Sequence, residues 1–176
     1  GSSSTLANLN IKSGSTFNEN VTSTNIIIDD SITGTFKKAI TATAIVLDGG
    51  KLLLSEDNSV TIAGTINGSN TTEGTIQVTG ATKTFSGIVG GSQALTLVDI
   101  DDVAVFSANV SATTANLAAT TTFGGSTTLT TLTVQSASYN VIFNGSSNTI
   151  TNAANFQNTG TLTFGNGSGD SSTFNN

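Results

Sequence analysis

Residues 121–145 read TTFGGSTTLTTLTVQSASYNVIFNG. A β-branched residue precedes a phenylalanine twice, at Phe123 and at Phe143, and glycine follows within two positions each time. Between them, threonine alternates with apolar residues up to Val134, a pattern typical of a β-strand. The Gly-Gly and Asn-Gly pairs supply the positive φ angles that tight turns need. The stretch therefore predicts strands and turns that return to an equivalent position after about 20 residues.

The same local frame, a β-branched residue followed by phenylalanine, recurs along the chain. Its spacing is about 20 residues within each of two groups, which is the signature of a repeat architecture. A longer interval separates the groups and leaves room for two further turns and a loop. The first group is Phe17 and Phe36, and the second is Phe85, Phe106, Phe123, Phe143 and Phe164. We expect all these rings to stack in one internal ladder.

A period of about 20 residues, with two or three short strands in each, is typical of a parallel β-helix, or β-solenoid. Each coil buries little surface alone, so the coils must stack to form a continuous core. The chain contains no proline, which suits a fold in which interior coils donate their N–H groups to a neighbour. We therefore predict an all-β chain, with residues 1–176 forming a single solenoid segment that belongs to a longer array or assembly.

An antiparallel β-sandwich is the alternative architecture. Its strands also alternate, and its turns also recur at short intervals. The regular long-range spacing of the phenylalanines and the absence of tryptophan favour the β-helix instead.

Composition bears on function through the residue types that are missing. The chain has no His and no Cys, and its five basic residues are all lysines. It therefore lacks an imidazole for proton transfer, a thiolate nucleophile and a guanidinium that could clamp an anion. We expect no enzymatic activity. The net charge of −6 disfavours nucleic acid as a partner, and no apolar run is long enough to insert into a membrane as a helix.

The acidic residues are the one group with the chemistry of a ligand site. The densest cluster is Asp99, Asp101 and Asp102, and on a strand the first two would point to one face. Carboxylate oxygens are the ligands that Ca²⁺ prefers. The sequence thus offers a calcium site here, against the alternative of a solvated turn, and indicates no other cofactor.

Two segments resemble units of very large bacterial surface proteins. They are residues 84–96, TFSGIVGGSQALT, and residues 155–165, NFQNTGTLTFG. Similar units recur in long arrays in filamentous-haemagglutinin-like adhesins and in autotransporter passenger domains. The resemblance implies secretion to the cell surface and a role as a rod, stalk or filament, and it carries over no catalytic residue.

The predicted function is a structural or adhesive segment of a secreted, extracellular cell-surface protein. Its partners would be neighbouring repeats or other copies of itself, because the ends of a stack of coils expose unpaired strand edges. The alternative is a module that binds a glycan or a host receptor through a long loop, such as residues 64–74.

Overall fold

A computed structural model describes residues 5–152 and 154–175 of the chain. In these residues the chain forms strands and no helix. The strands are β1 (Leu6–Ile11), β2 (Ser15–Phe17), β3 (Val21–Ile28), β4 (Thr33–Phe36), β5 (Ile40–Leu47), β6 (Lys51–Leu54), β7 (Val60–Gly68), β8 (Thr75–Val78), β9 (Lys83–Phe85), β10 (Leu95–Ile100), β11 (Ala104–Phe106), β12 (Val110–Leu117), β13 (Thr121–Phe123), β14 (Thr127–Val134), β15 (Val141–Phe143), β16 (Ser147–Ile150), β17 (Asn155–Phe156), β18 (Leu162–Phe164) and β19 (Ser171–Phe174).

The strands form two parallel sheets that face each other across one core. One sheet has the order β1-β3-β5-β7-β9-β11-β13-β15-β18, and the other has β19-β16-β14-β12-β10-β8-β6-β4-β2. Every strand pair in the described residues is parallel. The chain alternates between the sheets and advances by one strand at each return, so it is a β-solenoid whose turns take roughly 20 residues each. The antiparallel sandwich is excluded.

The core consists of columns of inward side chains, one residue from each turn. The column that ends in phenylalanines contains Val21, Ile40, Ile62, Phe85, Phe106, Phe123, Phe143 and Phe164, which we call the Val21–Phe164 column. From Phe85 to Phe164, neighbouring rings stack with centroids 4.6–5.6 Å apart. The internal phenylalanine ladder is therefore confirmed for these five rings.

Phe17 and Phe36 do not belong to that ladder, which corrects the sequence-based grouping. They stack on each other in the Phe17–Phe156 column, on the opposite sheet. Its members are Phe17, Phe36, Leu54, Val78, Ile100, Leu117, Val134 and Phe156. Both groups of phenylalanine end a short strand, but the short strands lie in one sheet early in the chain and in the other sheet later. The local sequence around the phenylalanine is the same at both corners, so it does not show which of the two sheets the residue belongs to.

A third column, the Leu9–Ser172 column, changes from apolar to polar along the rod. It contains Leu9, Ile26, Ile45, Ile66, Val89, Val110, Thr127, Asn148 and Ser172. Thr127 Oγ1 and Asn148 Oδ1 are buried without a hydrogen-bond partner in the described structure. An unpaired buried polar group costs free energy, so each of these two atoms reduces the stability that the column contributes.

Replacing Thr127 by valine is expected to stabilise the protein by about 1 kcal/mol, because the change removes an unpaired hydroxyl and keeps the side-chain shape. The matched control is Thr121→Val. Thr121 is also buried, but its hydroxyl donates to the carbonyl of Ala119 at 3.0 Å, so this change should destabilise the protein. Urea unfolding measures both effects, and shifts of the same sign would contradict the prediction.

Asparagine marks the corners of the solenoid. Asn20, Asn109 and Asn140 each precede an inward valine, and each side-chain oxygen accepts a hydrogen bond from a backbone N–H on the next turn. The donors are the N–H groups of Ala39, Ser126 and Thr161. These bonds join successive turns where the strand ladders are interrupted.

Candidate functional site

The three aspartates predicted to bind calcium, Asp99, Asp101 and Asp102, each lie in a different local environment. Asp99 lies on β10 between Gln77 and Asn116, the partners on the neighbouring turns. Asp101 follows the end of the strand and accepts a hydrogen bond from Gln77 Nε2 at 2.9 Å. Asp102 accepts a bond from the backbone N–H of Val103 at 2.7 Å.

The three carboxylates therefore do not converge on one point. β10 ends at Ile100, so the strand alternation that would align Asp99 with Asp101 does not extend that far. Burial, and secondarily the charge of Asp101, raises the pKa of Asp99 above its ordinary value. Among residues 5–152 and 154–175, no group of three or more His, Cys, Asp or Glu side chains is arranged to hold a metal ion. Calcium binding at Asp99, Asp101 and Asp102 stays a prediction.

A second acidic surface, which is concave, lies beside the loop of residues 64–74. It is a groove of about 440 Å³ whose lining includes Asp30, Asp48, Thr72, Glu73 and Thr96. The sequence indicated this loop as a binding candidate, but the pattern did not reveal that Asp30 and Asp48 lie against it. They reach it from the two preceding turns, a proximity that only the stacking of turns creates.

Hydrogen bonds fix the Glu73 carboxylate at one end of the groove, whereas the single proton of the Ser69 hydroxyl is shared between Glu73 and Asp48. Ser69 Oγ lies 2.5 Å from both Asp48 Oδ1 and Glu73 Oε2, and Asn70 donates to Glu73 from its backbone and its side chain. The bonds from Ser69 and then Asn70 lower the pKa of Glu73. The lowered pKa favours the ionised form of Glu73, whose carboxylate lies near threonine hydroxyls, so the groove is a surface suited to uncharged polar or cationic groups.

Lys83 is a buried cation that composition alone does not reveal. Its side chain points into the core at the start of β9, opposite Val60 and Ala104 of the neighbouring turns, and is fully buried. Nζ donates to the carbonyl of Glu56 at 2.7 Å and to the carbonyl of Ala81. The sequence signal was the alternation in Lys83-Thr84-Phe85, because residues two apart on a strand face the same side.

The surroundings of Lys83 act on its pKa in opposite directions. Burial is the largest effect and lowers the pKa, because the charged ammonium is poorly solvated in the core. The carboxylates of Asp102, Glu56 and Asp57 oppose this shift. Lys83 thus links the loops that contain Glu56 and Ala81 to the core through its bonds to their carbonyl groups. Burial disfavours the positive charge of its ammonium group.

The lowered pKa of Lys83 predicts the sign of a pH effect on stability. Between the folded pKa and the ordinary value near 10.5, the unfolded chain binds more protons than the folded chain, so stability rises with pH. We expect the free energy of unfolding of the wild type, relative to Lys83→Met, to increase as the pH is raised from neutral toward 10.5. Urea titrations at several pH values measure this difference, with Lys38→Met as a control for removing one positive charge. A difference that falls with pH would refute the account of Lys83.

The two ends of the solenoid carry exposed apolar side chains. At the carboxyl end, Phe156, Phe164 and Phe174 contact one another edge to face, and Phe164 remains 42% exposed. At the amino end, Leu6 is 52% exposed and lies beside a recess of about 340 Å³. The two ends thus carry two of the three large apolar side chains that are exposed in the described residues, and they form a second candidate site.

The chain matches no protein-family model, and no curated protein and no solved structure is significantly similar to it. No helix in the described ranges is long and apolar enough to cross a membrane.

Proposed function

We propose that this chain is a structural segment of a secreted bacterial cell-surface protein, in which it acts as a rigid spacer and joins neighbouring repeats or other copies at its ends. The observation that supports this proposal best is the set of parallel ladders and inward columns that run the length of the described chain. Such a core makes each turn depend on its neighbours and gives a rod whose length is set by the number of turns. With strands about 4.8 Å apart, eight or nine turns give a rod on the order of 40 Å long.

The composition is consistent with a role outside catalysis. The chain has no His, Cys or Arg, and its surface chemistry is provided mostly by Thr, Ser and Asn. The resemblance of residues 84–96 and 155–165 to repeats of surface adhesins and autotransporter passengers supports a location outside the cell for the proposed rod. The absence of enzymatic activity stays a prediction.

Surface display tests the spacer role. The chain is inserted between a bacterial surface anchor and a fluorescent tag, and the height of the tag above the membrane is measured. The rod should raise the tag by about 40 Å relative to the direct fusion. The matched control is a flexible Gly/Ser linker of equal length, which should give a broader distribution of heights. A tag on the solenoid that is as variable in height as the one on the linker would contradict the spacer role.

The alternative function is recognition of a glycan or receptor, and the groove beside residues 64–74 is the observation that favours it. Its carboxylates are suited to accept hydrogen bonds from sugar hydroxyls, and its threonine hydroxyls are suited to accept or donate them. Glycan arrays probed with the wild type and with the double variant Asp48→Ala/Glu73→Ala decide this point. If the wild type binds a glycan and the double variant does not, the recognition role is established. If no glycan on the array is bound, the spacer role is the one proposal that remains.

A further inference from the structure

Four turns in the second half of the chain carry the same outward pattern on one side of the rod. Their strands β12, β14, β16 and β19 pair in continuous register, so outward side chains align in columns. One column contains Ser111, Thr128, Thr149 and Thr173, and the column beside it contains Thr113, Thr130, Thr151 and Asn175. We call these eight residues the polar grid. The turns differ in length, so the grid does not appear as a regular spacing in the sequence.

The polar grid is anchored to the core. Between its two columns lie the inward residues Ala112, Leu129 and Ile150, which are buried. Neighbouring turns are about 4.8 Å apart, and residues two apart on one strand are about 6.6 Å apart. The grid is therefore a two-dimensional array of side chains at fixed spacings, unlike the polar surface of a loop.

The part of the rod that carries the grid is almost free of charge. Residues 103–169 contain no charged side chain, and Asp170 accepts hydrogen bonds from the N–H groups of Asn166 and Gly167 in its own turn. The first three turns differ, because at the positions equivalent to Thr130 they carry Lys12, Asp29 and Asp48. The solenoid itself thus does not require uncharged polar residues at these positions.

The hydroxyl groups of the grid face solvent. Thr128, Thr130, Thr151 and Thr173 are exposed. The side-chain hydrogen bonds in this part of the rod are formed by other residues, among them Asn109 and Asn148. A hydroxyl both donates and accepts, and a water bound to it is held nearly as well as by a direct partner. Waters on the grid are therefore ordered at the spacings of the strands.

A ligand that matches the whole grid must itself be uncharged and periodic in two dimensions. A soluble sugar would contact a small part of it, and the grid offers no aromatic ring on which a sugar ring stacks. The surface of ice has the required properties. It is an uncharged lattice of water molecules whose repeat distances are comparable to the spacings of the grid, and it excludes ions.

We propose that the polar grid binds the surface of ice through waters ordered on its hydroxyl groups. This activity goes beyond the proposed spacer role and does not depend on it, because the grid lies on the side of the rod. A bound chain blocks the addition of water to the ice beneath it. The freezing point is therefore lowered while the melting point stays the same.

A lysine placed in the grid provides the test. Thr130→Lys adds a long, charged side chain at an exposed position in the grid. Thr122→Lys is the matched control, because Thr122 faces outward on β13 of the same turn but in the other sheet. Thermal hysteresis, the gap between melting and freezing points of a single ice crystal, should be present for the wild type and for Thr122→Lys. Thr130→Lys should reduce it at least about tenfold at equal concentration.

Controls separate loss of ice binding from loss of the fold and from binding to another periodic surface. Circular dichroism and urea unfolding identify a misfolded variant, and Thr151→Lys then replaces Thr130→Lys. Partition into a slowly growing ice hemisphere and retention on crystalline cellulose are measured beside the hysteresis. A wild type that is excluded from ice would overturn the proposal, whether or not cellulose retains it. Equal losses for Thr130→Lys and Thr122→Lys would also overturn it. Neither result would affect the height measured in the display experiment.

Discussion

Replacing Phe123 by alanine is expected to lower the free energy of unfolding by about 3–5 kcal/mol. Phe123 is fully buried in the middle of the Val21–Phe164 column, with Phe106 and Phe143 stacked on either side at 5.3 and 5.0 Å. Alanine would leave a cavity between two rings that cannot move together, because the strands that carry them are fixed at the ladder spacing. Urea unfolding followed by circular dichroism measures the loss.

Phe164→Ala is the matched control for this prediction. It removes the same side chain from the same column, but Phe164 is 42% exposed and has a ring neighbour from the column on one side only. We expect it to destabilise the isolated chain by less than half as much. Equal losses at the two positions would mean that stacking within the column does not determine the stability of the solenoid.

The substitution Gly64→Ala should destabilise the protein by roughly 2–5 kcal/mol. Gly64 lies within β7 at a φ of +115°, opposite a β-bulge where the pairing with β5 shifts between Thr41 and Ala44. A Cβ atom at this position would lie 2.3 Å from the carbonyl oxygen of Ala42. Both the backbone conformation and the space therefore require glycine. Urea unfolding of the variant beside the wild type measures the loss.

Gly14→Ala is the control for the glycine prediction. Gly14 has no heavy atom within 4 Å of a Cβ built there, and its φ is not positive. This substitution should change the free energy of unfolding by less than about 0.5 kcal/mol, as expected for most surface changes. If Gly64→Ala were equally well tolerated, the bulge would not be a fixed feature of the fold.

The architecture could be predicted from the sequence because its determinants are periodic. The evenly spaced phenylalanines between Phe85 and Phe164 correspond to members of one column. Gly124-Gly125 and Asn144-Gly145 lie between strands, but the positive φ angles predicted for these glycines are wrong, and Asn67-Gly68 lies at the end of β7. The apolar residues of the alternating segment, Leu129, Leu132 and Val134, are all buried on β14, as the pattern predicts. The alternation changes phase between Leu129 and Leu132, where two consecutive threonines are both more exposed than their neighbours.

Other features depend on which turn lies next to which, and a local pattern does not contain that information. The frame around Phe17 and Phe36 resembles the frame around Phe123, yet the two groups occupy different sheets. The irregular pairing opposite Gly64 and the approach of Asp30 and Asp48 to Glu73 exist only because particular turns are stacked on one another. The burial of Lys83 could have been inferred from its alternation with Phe85, but its carbonyl partners Glu56 and Ala81 could not.

Each turn lies directly above the preceding one, so outward residues also form straight columns. Thr61, Thr84, Val105, Thr122, Ile142 and Thr163 form such a column. Spin labels on cysteines introduced at Thr61 and Thr163, measured by double electron–electron resonance, test this stacking. Five steps of about 4.8 Å predict a narrow distribution at about 24 Å between the label sites, and the pair Thr61 and Thr122 should be about 10 Å closer. Equal distances for the two pairs, or broad distributions for both, would contradict the stacked, parallel arrangement.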